Sequence, residues 1–276
     1  MVYLNKKIVD LQQFAKEKHK EYANAKPFPN IVIDDFFEEE FLSKVLNEFP
    51  DLSTKSEINV FNNLNEKKLG TKGEADFGEY TKLICHYLNS QPILEFLQEL
   101  TGITETLLPD PYFYGGGYHE IKPGGYLKIH ADFNKHNKTG LDRRINLLVY
   151  LNKDWEESYG GFFELWDENM VSAQRKLLPI FNRVAIFSTT DFSYHGHPDP
   201  LTCPPDRSRK SIALYYYTNG RPASELNEGE HSTLFVNRKG KPKDIAPPKT
   251  LVPKLTSAVK NFTPPIIFNL LKKIIK

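Results

Sequence analysis

His130 and Asp132 stand two positions apart in GGYLKIHADF, two further histidines follow in FSYHGHPDP, and RSRKSIALYYYT carries Arg209 and Ser211. Side chains at i and i+2 of a β-strand project from one face, so His130 and Asp132 can reach one ion while Ala131 turns away. Two imidazoles and one carboxylate on one face of an octahedral ion leave three coordination positions open, the arrangement of a mononuclear non-heme Fe(II) site. An open coordination face is a reactive one. Arg209 and Ser211 share a strand face in the same way. A planar guanidinium matches a carboxylate in bidentate fashion and a hydroxyl on the same side adds a donor, so the pair sketches a pocket for a dicarboxylate beside the ion.

These residues need elements to hold them. The chain has 276 residues, enough for one domain with a sizeable core and flanking helices. Residues 1–110 read as a mostly helical support region of that domain, with a short extended entry in FPNIVIDDFF. Phe41, Leu42, Val45, Leu46 and Phe49 recur at helical spacing, YTKLICHYLNS follows, and SQPILEFLQELTG opens at Ser90, holds Pro92 in its first turn and ends at Gly102. Over 111–222 the grammar changes to aromatic and β-branched runs between glycine, proline and asparagine: PYFYGGGYHEI, GGYLKIHADF, INLLVYLN, GGFFELWD, RVAIFSTT and SIALYYYT. Six or more such strands predict an antiparallel barrel or sandwich, mainly β with flanking helices (α+β). Residues 223–276 read as a polar arm followed by an amphipathic helix with Ile266, Ile267, Leu270, Leu271, Ile274 and Ile275 on one stripe, docked on its own domain.

Composition narrows the classes. Thirty-six basic against thirty-five acidic residues leave a formal charge of +1, which offers no footprint for nucleic acid. Cys85 and Cys203 lack metal-binding or framework spacing and point to a reducing cytoplasm. The N-terminus has no continuous apolar segment of a secretory signal, and no apolar run approaches the roughly 20 residues that span a bilayer.

IKPGGYLKIHADFN, followed in order by RRINLLVYLNKDW, GGFFELW, FSYHGH and RKSIALYYY, resembles the prolyl 4-hydroxylase-like branch of the 2-oxoglutarate and Fe(II)-dependent oxygenases over about residues 112 to 220. The resemblance implies a double-stranded β-helix (jelly roll, cupin-like) core. It implies His130, Asp132 and one histidine of FSYHGH as iron ligands. The family's ligand closes a strand after a small or aromatic pair, as Tyr194-His195-Gly196 does, which favours His195; His197, directly followed by Pro198, is the alternative. Arg209 and Ser211, fourteen and sixteen positions after His195, match the family's R-x-S clasp on the far carboxylate of 2-oxoglutarate. Tyr150 matches the phenol that touches the same carboxylate, and Tyr126, four before His130, matches a pocket tyrosine. His119 and Asn146 are further candidates for the pocket wall, while His86, His136, His231, Trp155 and Trp166 read as surface or packing residues.

The resemblance further implies a dioxygenase that consumes 2-oxoglutarate as co-substrate and dioxygen, with ascorbate an accessory in some of the branch, and that hydroxylates an unactivated C–H bond. A peptidyl proline is the first substrate expected; another protein side chain, a free amino acid or a saccharide are the alternatives, so the partner is a peptide, protein or small molecule. Two other classes compete. A cupin-like zinc hydrolase would use the HxD and distal histidine to activate water, and a non-catalytic jelly-roll binding module would keep those histidines for structure. Neither accounts for Arg209, Ser211 and Tyr150.

Overall fold

The computed structural model describes residues 3–226, 229–241, 244 and 245. The C-terminal amphipathic helix expected around Ile266 to Ile275 lies outside them. The N-terminal region forms α1 (Leu11–Asn24), β1 (Asn30–Asp34), α2 (Glu39–Asn47), β2 (Ile58–Asn62), β3 (Glu66–Thr71), α3 (Glu79–Leu88) and α4 (Gln91–Thr101). Each helix follows its local signals. The Asp10 carboxylate accepts from the backbone N–H groups of Gln12 and Gln13 at the start of α1. α4 buries Ile93, Phe96, Leu97 and Leu100 at helical spacing and ends at Gly102, whose φ of 72° is the left-handed conformation that glycine adopts without a Cβ clash. Ser90 does not cap α4 through its side chain; its hydroxyl donates to the Tyr87 carbonyl at the end of α3 instead.

The strands that follow are β4 (Gly117–Ile121), β5 (Tyr126–Ala131), β6 (Asp142–Tyr150), β7 (Phe163–Trp166), β8 (Ala173–Leu177), β9 (Arg183–Ser188), β10 (Tyr194–His197), β11 (Arg209–Thr218) and β12 (Leu234–Phe235). They join one antiparallel sheet in the order β1-β9-β6-β11-β4-β3-β5-β10-β7-β8. This is the expected strand-rich core of a double-stranded β-helix. Its halves face one another: Phe163 and Leu165 of β7 pack with Tyr150 of β6 and Phe187 of β9, the Phe163 and Phe187 rings 5.2 Å apart. Alternation does the rest. Ile145, Leu147 and Val149 of β6, with Ile212, Leu214 and Tyr216 of β11, point the other way into the large core shared with the helices.

The N-terminal region is less purely helical than its sequence suggests. The β2–β3 hairpin enters the sheet, and β3 bridges β4 and β5 where the two halves meet. Its sequence, NVFNNLNEKKLGT, is too polar to announce a strand; pairing on both edges supplies what side-chain pattern does not. Among the described residues no helix is long and apolar enough to cross a membrane.

Two register shifts shape the inner face. One lies between β10 and β5, where His195 pairs with His130 but His197 pairs with Leu127, and the other between β11 and β6, where Tyr216 pairs with Ile145 and Tyr217 with Arg143. An extra residue on one strand reverses the face of everything beyond it. Gly196 sits at the first shift, where a Cβ would come within 2.7 Å of the Leu127 carbonyl and 2.9 Å of the Lys128 carbonyl. Because both obstacles are backbone, Gly196→Ala is expected to destabilise the fold by about 1–3 kcal/mol, read as a lower urea midpoint with an unchanged slope.

Candidate functional site

His130 on β5 and His195 on β10 are cross-strand partners, and Asp132 follows directly beyond β5. Their ligand atoms lie within 4.8 Å of one another: His130 Nε2 is 3.6 Å from Asp132 Oδ1, and His195 Nε2 is 3.4 Å from Asp132 Oδ2. The orientation of each ring is set locally. His130 Nδ1 lies 2.8 Å from the Lys128 carbonyl and His195 Nδ1 lies 2.9 Å from the Ser193 carbonyl. A carbonyl only accepts, so both Nδ1 atoms carry a proton and both rings turn Nε2 toward the carboxylate. Burial holds His195 down at about 3, so it stays neutral. The bare Nε2 of neutral His195 and the Asp132 carboxylate repel unless a cation sits between them, and two imidazoles with one carboxylate fit a divalent first-row metal with open positions. His197 is not part of the cluster.

Asp132 is held by Arg143, which the sequence did not single out, and by Asn146, one of the candidates for the pocket wall. Its Oδ2 accepts from Arg143 Nη2 at 3.0 Å and from Asn146 Nδ2 at 2.7 Å, and Arg143 Nε donates to Asn146 Oδ1 at 2.9 Å. Burial alone would raise the Asp132 carboxyl; the Arg143 guanidinium beside it is the largest opposing influence, and the group is held well below the usual carboxylate range. The Arg143 guanidinium is itself wedged between rings, 3.4 Å from the Tyr215 centroid and 4.3 Å from that of Phe133. By strict alternation Arg143 would share the outer face of Ile145 and Leu147. The β6–β11 shift turns it inward beside Asn146. The one available signal was the pair of arginines opening an apolar strand, and it could not say which of Arg143 and Arg144 faces in; Arg144 instead joins Glu105, Thr218 and Glu225.

Arg209, 5% exposed, lies on the inner face of β11. Its Nε donates to the Gly161 carbonyl at 2.8 Å and one Nη to the Tyr150 hydroxyl at 3.4 Å. Gly161 was not singled out from the sequence. It takes φ of 70°, and a Cβ there would meet Leu201 at 2.5 Å and the Arg209 side chain at 3.1 Å, so glycine makes room for the guanidinium. Ser211 is buried on the same face and pairs across the sheet with both His119 and Tyr150. His119 lies beside Gly70 and donates through Nε2 to the Gly115 carbonyl; burial, then the nearby Lys68, takes it down to about 3. His197, 3% exposed and two after His195 on β10, has neither ring nitrogen hydrogen-bonded, and burial, then Arg209 and Lys68, keeps it neutral.

Tyr126 does not reach the pocket. The β5–β10 shift places Leu127, not Tyr126, on the face of His130, so the parity argument fails across the bulge. The Tyr126 hydroxyl donates to the Asn63 carbonyl instead, under Lys128. Of the histidines expected to pack, His136 is buried against Asp110, His231 bonds Asp191, and His86 pairs with Glu74 at the surface. Trp155 and Trp166 are both buried, as expected.

A cleft of about 1300 Å³ opens over His130, Asp132 and Arg143, with Lys68, Tyr112 and Thr233 among its walls. One wall comes from the C-terminal arm. Phe235 pairs with His130 and sets its ring 5.5 Å away at a tilt of 42°, and Val236 donates to the Ile129 carbonyl. Arg238, bound to Asp199 and Asp244, ties the arm down behind β5.

Residues 116–249 match the family profile described as the 2OG-Fe(II) oxygenase superfamily. No curated protein is detectably similar to the chain in sequence. In structure it is similar to a prolyl-4-hydroxylase from Pseudomonas putida, with a TM-score of 0.51 at 13% identity over 75% of this chain and 100% of that one. It is also similar to a prolyl hydroxylase from Trichoplax adhaerens solved with a hypoxia inducible factor oxygen degradation domain peptide fragment, with a TM-score of 0.55 at 17% identity over 78% and 93% of the two chains. At such identities the likeness establishes the fold.

Two outcomes are expected. Arg143→Met removes the charge on which Asp132 leans, so divalent-metal affinity should fall about 10–100-fold in a competition titration, while Arg144→Met leaves it near wild type. In the metal-free protein, buried neutral His195 takes up its proton near pH 3 rather than at the usual 6.5. The unfolded chain therefore binds more protons across that window, and stability rises with pH between those limits. Urea midpoints should climb from about pH 3 to about pH 6.5, and His195→Phe should flatten the slope.

Proposed function

We propose that this chain, a member of the 2OG-Fe(II) oxygenase superfamily through residues 116–249, hydroxylates an unactivated C–H bond, with a peptidyl proline as its first substrate. The observation that carries the reading is the convergence of His130, Asp132 and His195 in the same barrel half-space as the buried Arg209–Tyr150 pair. A zinc hydrolase has use for the first group and none for the second.

In this reading His130, Asp132 and His195 hold Fe(II), and the far carboxylate of 2-oxoglutarate is received by Arg209 with Ser211 and Tyr150. Bound iron, 2-oxoglutarate and dioxygen supply the oxidising power; the protein supplies geometry and dryness. Arg143 and Asn146 fix the Asp132 carboxylate so that it presents one oxygen to the metal and keeps the other engaged. Phe163 and Phe187, whose rings lie 5.6 Å and 4.7 Å from His195, exclude water from the back of the site. The Gly161 carbonyl and Tyr150 hydroxyl orient Arg209 before any ligand arrives, which lowers the cost of ordering it on binding. The cleft over His130 and Asp132 is where a substrate carbon reaches the metal, and its open, mixed-charge walls suit an extended chain such as a peptide. The two prolyl hydroxylases of similar fold support proline as the residue to test first.

Anaerobic addition of Fe(II) and 2-oxoglutarate to the wild type should produce the weak visible charge-transfer band of the ternary complex. In Arg209→Ala the same band should need about 100-fold more 2-oxoglutarate, since a buried carboxylate loses its charged partner. A wild type with no band points to a hydrolase or a binding module. Succinate release coupled to a one-oxygen mass gain on proline-rich peptides supports the substrate; the same gain only on amino acids or sugar conjugates removes it.

A further inference from the structure

We propose that His197 is a binding residue for 2-oxoglutarate, its imidazole N–H donating to the far carboxylate that Arg209 receives. This extends the reading of the site given above. Neither ring nitrogen of His197 has a hydrogen-bond partner, although the residue is 3% exposed. Its neighbours on the inner face behave otherwise: His130 and His195 each commit Nδ1 to a backbone carbonyl. A buried polar group without a partner forfeits its hydration with nothing in return, and such groups are rare enough in folded proteins to call for an explanation such as a ligand.

Its position names the ligand. His195 and His197 are alternate residues of β10, so the second lies about 7 Å along the strand from the first, on the same face and away from the metal-ligand cluster. It sits across from Leu127, on the inner face that also carries Lys68, His119 and Arg209 of the neighbouring strands. Arg209 has committed Nε and one Nη to Gly161 and Tyr150, which leaves further donors for a carboxylate beside it. A neutral imidazole offers one N–H to such an anion and does not need to be charged to do so. Gly196 lets β10 lie close against the Leu127 and Lys128 carbonyls. A ring present only to fill space would be served as well by leucine, with no nitrogen to satisfy.

The test uses the full-length protein loaded with redox-inert Mn(II), with calorimetric titration of Mn(II) and then of 2-oxoglutarate into wild type, His197→Leu and His197→Gln. The expected result is about tenfold or greater weakening of 2-oxoglutarate in His197→Leu, the worth of one hydrogen bond to a charged group, with Mn(II) affinity within about twofold of wild type. His197→Gln keeps an N–H donor and should recover most of the loss. Equal 2-oxoglutarate affinity in His197→Leu overturns the proposal, as does a matching loss of Mn(II), which would make His197 a metal ligand. If His197→Leu does not fold, His197→Gln decides alone against His197→Val. A wild type that binds Mn(II) but no 2-oxoglutarate overturns the site reading itself, a different result from a wild type that binds it and a variant that binds it equally well.

Discussion

The structure turns on the Asp132 carboxylate, largely shielded from solvent and flanked by two imidazoles that both aim Nε2 at it. Such a cluster is unfavourable by itself, and each neighbour limits the cost in a definite way. The Lys128 and Ser193 carbonyls fix the histidine tautomers. Arg143 and Asn146 neutralise and steer Asp132, and the rings of Tyr215 and Phe133 pin Arg143 in turn. The proposed metal ligands are therefore oriented before any cation arrives.

Two register shifts make this possible. A regular strand would send Arg143 outward with Ile145 and put Tyr126 in the pocket with His130. The β6–β11 shift brings Arg143 in, and the β5–β10 shift exchanges Tyr126 for Leu127. Both sit beside the site, where local departures from the ladder re-aim side chains that alternation alone could not deliver. Gly196 and Gly161 have the matching role on the backbone, one admitting a close strand and the other a guanidinium.

Around that rigid centre the walls have separate origins. The N-terminal hairpin brings Lys68 to the inner face, and the C-terminal arm lays Phe235 against His130 and places Thr233 on the cleft. The proposed metal ligands and diacid clasp thus come from the core strands, while the walls of the cleft come in part from the N-terminal hairpin and the C-terminal arm. Such a division lets one chemistry serve many substrates.

The sequence by itself determined whatever depends on neighbours along the chain. Period-two spacing put His130 with Asp132 and Arg209 with Ser211, apolar runs marked the strands, and Asp10 and Gly102 bounded helices, because each of these is a property of a few consecutive residues. Only the tertiary structure decided which of His195 and His197 joins the cluster, which of Arg143 and Arg144 grips Asp132, and whether Tyr126 or Leu127 faces in. Those choices depend on how distant strands register against one another. A single extra residue reverses a face without leaving any trace in the local pattern.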